Sequence, residues 1–376
     1  MRIVVLGGGR VGAAIVRDLA ADSAFEVTVV DASERTLATF GDIEVACRRA
    51  DLSSPDAVRD VVAEHDLVIG AVPGPMGFAT VRAVIEAGVD IVDISFFEED
   101  AFELDALARE RGVTVLVDCG VAPGASNLAL GHAETTFDRV DRFVCHVGGL
   151  PTARHWPWEY KAPFSPIDVI AEYTRPVRLR ENGRELVRPA LSNPERVHFD
   201  GIGTLEAFET DGLRSLLHTS EVPNLMEKTL RYPGHREKIE VLRDTGLFSE
   251  EPKTLRDGST VRPIDLAAEL LFEQWFLEPG DDELTVMRIE IEGERDGAPT
   301  RRVLDLLDRT DHATGTSSMA RTTGYTCTAM ARLVAEGSWT GKGVAPPELV
   351  GRRTACYDRV MALLAERNVT FRIRES

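Results

Sequence analysis

The sequence predicts an α/β chain: an N-terminal domain built on a doubly wound parallel sheet, followed by an α+β domain. Three observations predict it. Over residues 1–120, short β-branched runs alternate with helical patterns. A glycine-rich turn, Gly7-Gly8-Gly9-Arg10-Val11-Gly12, follows the first run and opens the first helix. From about residue 121 the rhythm changes to alternating strands closed by Asn-Gly and Asp-Gly turns. A chain of 376 residues is also longer than one core usually serves.

The first strands are expected at Ile3–Leu6, Val27–Val30, Val45–Cys47, Leu67–Ala71, Ile91–Ile94 and Val113–Val117. Helices are expected between them at Val11–Ala20, Pro55–Glu64, Phe78–Ala87 and Ala101–Arg111. Strands this continuously apolar belong in a sheet covered on both faces. The GxGxxG turn then has a specific reading, a Rossmann dinucleotide site. Gly7 lets the chain turn tightly, Gly9 leaves room for a pyrophosphate, and Gly12 lets helix pack on strand. Arg10 and Val11 open a helix whose free N–H groups face the phosphates. Asp31 ends the second strand 19 residues after Gly12, where a carboxylate accepts the ribose hydroxyls. Asp51 follows the third strand, where the adenine edge is expected. Ala71, Val72 and Pro73 are expected along the nicotinamide ribose. Asp31 repels a 2′-phosphate, so NAD is favoured over NADP, although Arg35 one helical turn later partly offsets this.

In the second half, Val140–Val147 alternates like a half-buried strand, and Ser165-Pro166-Ile167-Asp168 reads as a helix start with Ser165 as cap. Val177–Arg180 and Arg184–Val187 flank Asn182-Gly183, and Leu284–Ile291 and Arg301–Leu307 flank Asp296-Gly297. These hairpins predict an antiparallel sheet. Met319–Ala335 and Arg352–Glu366 read as helices, the first rich enough in small residues to pack closely against the nucleotide domain. The expected divisions are residues 1–120 for nucleotide binding, 121–315 for substrate binding and dimerisation, and 316–376 for C-terminal helices.

Composition narrows the function classes. A net charge of −19 argues against nucleic acid, because phosphate binding needs a basic face. Only five of the 43 basic residues are lysine, so the surface is acidic and arginine-rich. No stretch reaches the ~20 apolar residues that span a bilayer, and the N-terminus begins as a strand rather than a signal peptide. A cytoplasmic location without membrane partners is therefore expected. The five cysteines are scattered without a CxxC pair, and the histidines lack HxxxH or HExxH spacing, so neither a disulfide framework nor a metal site is expected.

At Asp118-Cys119-Gly120-Val121-Ala122-Pro123-Gly124 the chain begins to resemble saccharopine dehydrogenase-like proteins, most nearly their L-lysine 6-dehydrogenase branch. The resemblance continues through Val147-Gly148-Gly149-Leu150-Pro151, Trp158-Glu159-Tyr160-Lys161, Leu205-Glu206-Ala207-Phe208-Glu209-Thr210-Asp211-Gly212 and Lys228-Thr229-Leu230-Arg231-Tyr232-Pro233-Gly234-His235. Met319-Ala320-Arg321 and Gly343-Val344-Ala345-Pro346-Pro347-Glu348 fit it near the end. It implies a homodimer with an active site between the two domains, an amino acid substrate, and NAD-dependent oxidation of the ε-amine carbon of L-lysine. Ala122 and Val147 replace an aspartate and a cysteine common in saccharopine reductases, which favours the lysine branch.

Such chemistry needs a carboxylate to take a proton from the amine. Asp118 and Asp93, at the ends of the sixth and fifth strands, face the ligand edge; Asp118 is preferred, and either also suits a capping or ribose-binding role. Arg231 with Thr229 on the same strand face suits the substrate carboxylate, a structural ion pair being the alternative for Arg231. Lys228 points to the other face unless the strand bends. Ser165 and Gly149 are further substrate-side positions. Glu206 suits either a substrate ammonium or Arg231. Tyr160 supplies a phenol or packs as part of a lid. Lys161 is weaker, His235 at its turn reads as solvent-exposed, and Cys119 reads as a core residue. The rival readings are saccharopine, carboxynorspermidine or another amine within the same family, and a non-catalytic NAD sensor.

Overall fold

In the computed structural model, which describes residues 1–163, 166–278 and 280–376, each of the six early apolar runs lies in one parallel sheet. The strands are β1 (Arg2–Leu6), β2 (Glu26–Asp31), β3 (Ala46–Arg49), β4 (Leu67–Gly70), β5 (Asp90–Asp93) and β6 (Thr114–Leu116). Helices α1 (Arg10–Ala20), α2 (Glu34–Leu37), α3 (Pro55–Val62), α4 (Gly74–Ala87) and α5 (Asp105–Arg111) connect them. β1, β4 and β5 are almost wholly buried, as their unbroken Val/Ile/Leu character demands, whereas β3 is exposed at the edge. α1 turns Ala14, Ile15, Val16 and Leu19 inward, the three larger side chains contributing about 1.5–3 kcal/mol each. α4 starts a turn earlier than its apolar pattern because Pro75 sits in its first turn, where a missing N–H costs nothing. The Ala101–Arg111 run divides into a 3₁₀ turn, Ala101–Leu104, and α5.

Along the rest of the chain come α6 (Ala125–Thr136), β7 (Arg139–Pro151), α7 (Pro166–Thr174), β8 (Val177–Glu181), β9 (Arg184–Arg188), β10 (Glu195–Phe199), β11 (Gly203–Glu209), α8 (Leu216–Thr219) and β12 (Leu225–Arg231). Then follow α9 (His235–Asp244), the short pair β13 (Lys253–Thr254) and β14 (Thr260–Val261), α10 (Pro263–Trp275), β15 (Glu283–Arg295) and β16 (Ala298–Arg309). The chain closes with α11 (Ser318–Ala335), β17 (Gly343–Ala345), α12 (Pro347–Gly351), α13 (Thr354–Glu366) and β18 (Phe371–Glu375). Both two-residue turns form as the sequence predicts, with positive φ at Asn182 and Gly183 and at Asp296 and Gly297.

The second sheet runs β10-β11-β12-β7-β15-β16-β18 and corrects the antiparallel expectation: β12 lies parallel to β7. Hairpin signals reveal only local pairing. The β7-to-β12 connection carries α7 and the β8–β9 hairpin, long enough for a parallel crossover. The last segment contributes to both sheets. β17 extends the parallel sheet beside β6, and β18 pairs with β16. α11 lies against α1, with Gly324 so close that an added Cβ would sit 3.3–3.4 Å from Ile15 and Ala14. Among the described residues no helix is long and apolar enough to cross a membrane.

Candidate active site

The carboxyl ends of β1, β2, β4, β5 and β6 meet β7, α7 and β12 around a cavity of about 470 Å³. Its nucleotide end is shaped by backbone. Gly7 adopts φ +104°, and a Cβ there would lie 2.4 Å from the Ala71 carbonyl oxygen. A Cβ on Gly12 would lie 2.0 Å from the Gly7 oxygen, whereas one on Gly9 would meet nothing within 4 Å. The loop is thus closed on the protein side and open on the ligand side, which fits a pyrophosphate against the N–H groups of α1. Asp31 is held by its neighbours: Gly8 N–H donates to Oδ2 and Ser33 N–H to Oδ1, both at 2.8 Å. Each oxygen keeps a lone pair for a ribose hydroxyl. Arg10, Val11, Ala71, Val72 and Pro73 line the same wall. The Arg10 guanidinium donates to the Leu277 carbonyl at 2.6 Å and lies over the Phe276 ring. Asp51 is a correction: it is exposed, accepts from Ser53 N–H and does not line the cavity. The exposed β3 edge carries it outward.

The substrate end is shaped by side chains. β12 presents alternate residues Glu227, Thr229 and Arg231 to the cavity, as period-2 geometry requires. Lys228 points the other way and pairs with Glu195 at 2.5 Å, so its substrate role is withdrawn. Glu206 also lies outside the cavity, with Arg236 at 3.7 Å and Arg196 at 3.9 Å as its ion-pair partners. Asp93 is corrected for a similar reason. It is fully buried, accepts from the Ser95 N–H and hydroxyl at 2.9 Å, and does not reach the cavity. Burial pushes its carboxyl up to about 8. Asp118 does reach the cavity, but Arg214 Nε holds it at 2.8 Å from Oδ1 and 3.0 Å from Oδ2. Its φ is +57°, the left-handed region that non-glycine residues seldom adopt. Gly149 and Tyr160 line the cavity; Ser165 lies outside the described residues.

Arg231 is almost wholly buried. Its Nε donates to the Tyr173 hydroxyl at 2.9 Å, Nη1 to the Leu230 carbonyl at 3.0 Å and Nη2 to Glu172 at 3.0 Å. The guanidinium also stacks over the Tyr160 ring, 4.6 Å from its centroid. The Tyr160 hydroxyl is buried without a hydrogen-bond partner among the described residues. His235 overturns its reading as an exposed turn residue: it is 1 % exposed, with burial and then Arg231 pulling its pKa down to about 3. Lys161 donates to the Phe276 carbonyl at 2.8 Å, outside the cavity lining. The Cys119 thiol is buried, and burial pushes its pKa well up, which keeps it protonated.

Several lining residues escape the sequence reading. Glu227 is one: burial pushes its pKa up to about 8, and among the described residues no cation lies within ion-pair distance of it. The Thr210 hydroxyl donates to its Oε2 at 2.6 Å, and Thr229 lies 2.8 Å from the same hydroxyl. α7 adds Asp168, Glu172 and, just past its end, Arg175, which stacks over Phe96 and pairs loosely with Glu98 at 3.6 Å. Asp211 lines the wall, paired with Arg178 at 2.8 Å. Glu227 lies beside Lys228 in the quoted motif, and strand alternation from Thr229 and Arg231 was the signal that pointed to it. The helix-start signal at residues 165–168 marks α7 as a helix but not as a cavity wall, because it reaches the cavity only through the crossover.

Two family models match. The saccharopine dehydrogenase NADP binding domain covers residues 3–116 and the saccharopine dehydrogenase C-terminal domain covers residues 120–369. Saccharopine dehydrogenase [NADP(+), L-glutamate-forming] of Pyricularia oryzae is 25% identical over 266 residues, covering 66% of this chain and 58% of its own. Carboxynorspermidine synthase of Vibrio alginolyticus is 24% identical over 305 residues, covering 75% of this chain and 72% of its own. The chain therefore spans little more than half the length of the fungal relative. Among solved structures, apo saccharopine dehydrogenase (L-Glu forming) from Saccharomyces cerevisiae superposes with a TM-score of 0.80 at 19% identity, covering 100% of this chain and 99% of that one. That likeness establishes the fold.

Proposed function

The chain belongs to the saccharopine dehydrogenase family, with its pyridine-nucleotide domain at residues 3–116, and we propose that it oxidises the distal amine of L-lysine or a close diamino acid with NAD. One observation carries the choice of substrate. Among the described residues, five carboxylates line the substrate end of the cavity, Asp118, Asp168, Glu172, Asp211 and Glu227, against two cations, Arg175 and Arg231. Asp118 and Asp211 are paired with Arg214 and Arg178 outside the lining, so three carboxylates face the two cations once Glu227 ionises, above about pH 8. An acid surplus attracts a ligand with more amines than carboxylates. Saccharopine, with three carboxylates, meets the opposite balance.

A bound pyridine dinucleotide supplies the hydride acceptor, held by the Gly7–Gly12 loop and Asp31. The protein's own groups do the rest. Arg231 has five N–H donors and three are committed, so one N–H on each Nη remains for a substrate carboxylate. With Thr210 donating to Glu227, Thr229 donates to Thr210 and offers its own lone pairs to an ammonium. Glu227 takes over the proton-accepting role first given to Asp118, because Asp118 is tied to Arg214 while Glu227 titrates near the working pH. Asp31 favours NAD, since a 2′-phosphate would meet its charge.

The test is NADH formation at 340 nm with a panel of amino acids. L-lysine is expected to react, faster from about pH 7 to 10, since hydride leaves only when the amine, of pKa about 10.4, is neutral. 2-Aminobenzaldehyde is expected to trap a cyclic imine from the product. A second reading rests on the pairing of Arg175 with Arg231, two cations that suit two carboxylates. Saccharopine cleavage without activity on lysine would establish it. No NADH from any amine would leave a nucleotide sensor.

A further inference from the structure

Behind Arg231 lies a column of polar groups that reaches no ligand. The His235 Nδ1 lies 2.9 Å from the Trp158 carbonyl oxygen, an acceptor only, so Nδ1 carries a proton. The ring is sealed beneath a fixed guanidinium and stays neutral, so Nε2 is an acceptor. The Tyr173 hydroxyl, 3.0 Å away, must then donate to Nε2, and its oxygen accepts from Arg231 Nε at 2.9 Å. Only one direction of donation satisfies every atom. Trp275, Tyr160 and Tyr173 pack around the imidazole, with centroids 6.2, 5.0 and 5.7 Å away. Neither Tyr173 nor His235 lines the cavity, whereas Arg231 does.

We propose that Tyr173 and His235 are positioning residues that set the rotation of the Arg231 guanidinium, so that its two uncommitted N–H groups face a substrate carboxylate as a fork. Glu172 and the Leu230 carbonyl fix the two Nη atoms, and Tyr173 fixes Nε. With its proton directed to His235, the Tyr173 hydroxyl turns a lone pair toward Arg231 Nε. A histidine at this turn therefore acts on the substrate through two other side chains. A protonated imidazole would present two donors, leave the phenol proton without an acceptor and place a second cation beside Arg231. The proposal rests on the reading that Arg231 meets a substrate carboxylate.

Tyr173→Phe removes the hydroxyl and keeps the ring, so it is the primary variant. Kinetics are measured with L-lysine and with its decarboxylated analogue 1,5-diaminopentane, as substrate or competitive inhibitor, alongside NADH affinity and thermal midpoint. KM for lysine is expected to rise about tenfold or more, the scale of one hydrogen bond to a charged group, with kcat within about threefold. The diamine and NADH constants are expected to hold. His235→Gln, which can still donate and accept, is expected to raise KM less than His235→Leu. An unchanged ratio of lysine to diamine in Tyr173→Phe, whether or not the midpoint falls, would overturn the proposal. Equal effects of the Gln and Leu variants would remove His235 from it. A wild type that neither binds nor oxidises any amino acid would instead fail the functional reading, and this proposal with it.

Discussion

The two ends of the cavity are built by different means. At the nucleotide end the contacts come from backbone: a glycine turn, the N-terminus of α1 and one carboxylate pinned by two N–H groups. These parts all lie between residues 7 and 33. At the substrate end the contacts are side chains from β7, α7, the 210–212 turn and β12, segments that meet only after a parallel crossover. A backbone site tolerates a wide choice of side chains and forbids a few. A side-chain site depends on each group's partner: Asp118 on Arg214, Glu172 on Arg231, Glu227 on Thr210. Rebuilding the substrate end can therefore change specificity without touching the nucleotide end.

The comparison can be broken most forcefully at Glu227. Glu227→Gln is expected to lower kcat by about 10²-fold or more while leaving NADH affinity intact. The same variant reports on stability. Burial raises this carboxyl from 4.5 to about 8, so its contribution is complete below the ordinary carboxylate range and is lost as pH rises through about 8. The thermal midpoint of Glu227→Gln is expected to fall less than that of the wild type between pH 6 and 9. A steeper fall would place the ionised form in the fold.

Gly9→Val is expected to weaken NADH binding by about 10²-fold with little change in midpoint, because its Cβ enters ligand space and not protein. Gly12→Val is expected to lower both, since its Cβ would collide with the Gly7 oxygen. If the two variants behave alike, the division of that loop into open and closed sides is wrong. Asp31→Ser is expected to narrow the preference for NADH over NADPH by about tenfold, read from the two dissociation constants. Comparable affinities in the unmutated protein would remove the NAD assignment. The smallest effect is expected at Lys228→Met. This side chain sits on the far face of β12 with Glu195, so both KM and kcat are expected to stay within about twofold.

The same division explains what could be read from the residues alone. The parallel sheet and the GxGxxG loop were legible because their signals are local: apolar runs, a fixed glycine spacing and an acid at a strand end. The face of β12 was legible in part, since alternation puts Thr229 and Arg231 together and Lys228 opposite. The mistakes were failures of long-range information. Asp93 and Asp118 occupy similar strand ends, yet one is buried under Ser95 and the other is claimed by Arg214, a residue 96 positions away. His235 follows Pro233-Gly234, a pattern typical of exposed turns, but the turn folds beneath Arg231 and Trp275. α7 carries Glu172, Tyr173 and the approach to Arg175, and no spacing in its sequence connects it with Arg231.

The central claim is that an acid surplus at the side-chain end selects a ligand with two amines and one carboxylate. The most direct measurement is calorimetric binding to the NADH-saturated protein of L-lysine and of L-2-aminoadipate, in which a carboxylate replaces the distal amine. The account predicts that lysine, titrated at pH 9 with NADH in place and Glu227 ionised, binds at least about tenfold more tightly, as expected when one ligand charge is reversed in a partly closed site. Tighter binding of 2-aminoadipate would contradict it, because Arg175 and Arg231 would then govern the site and not the carboxylates Asp168, Glu172 and Glu227.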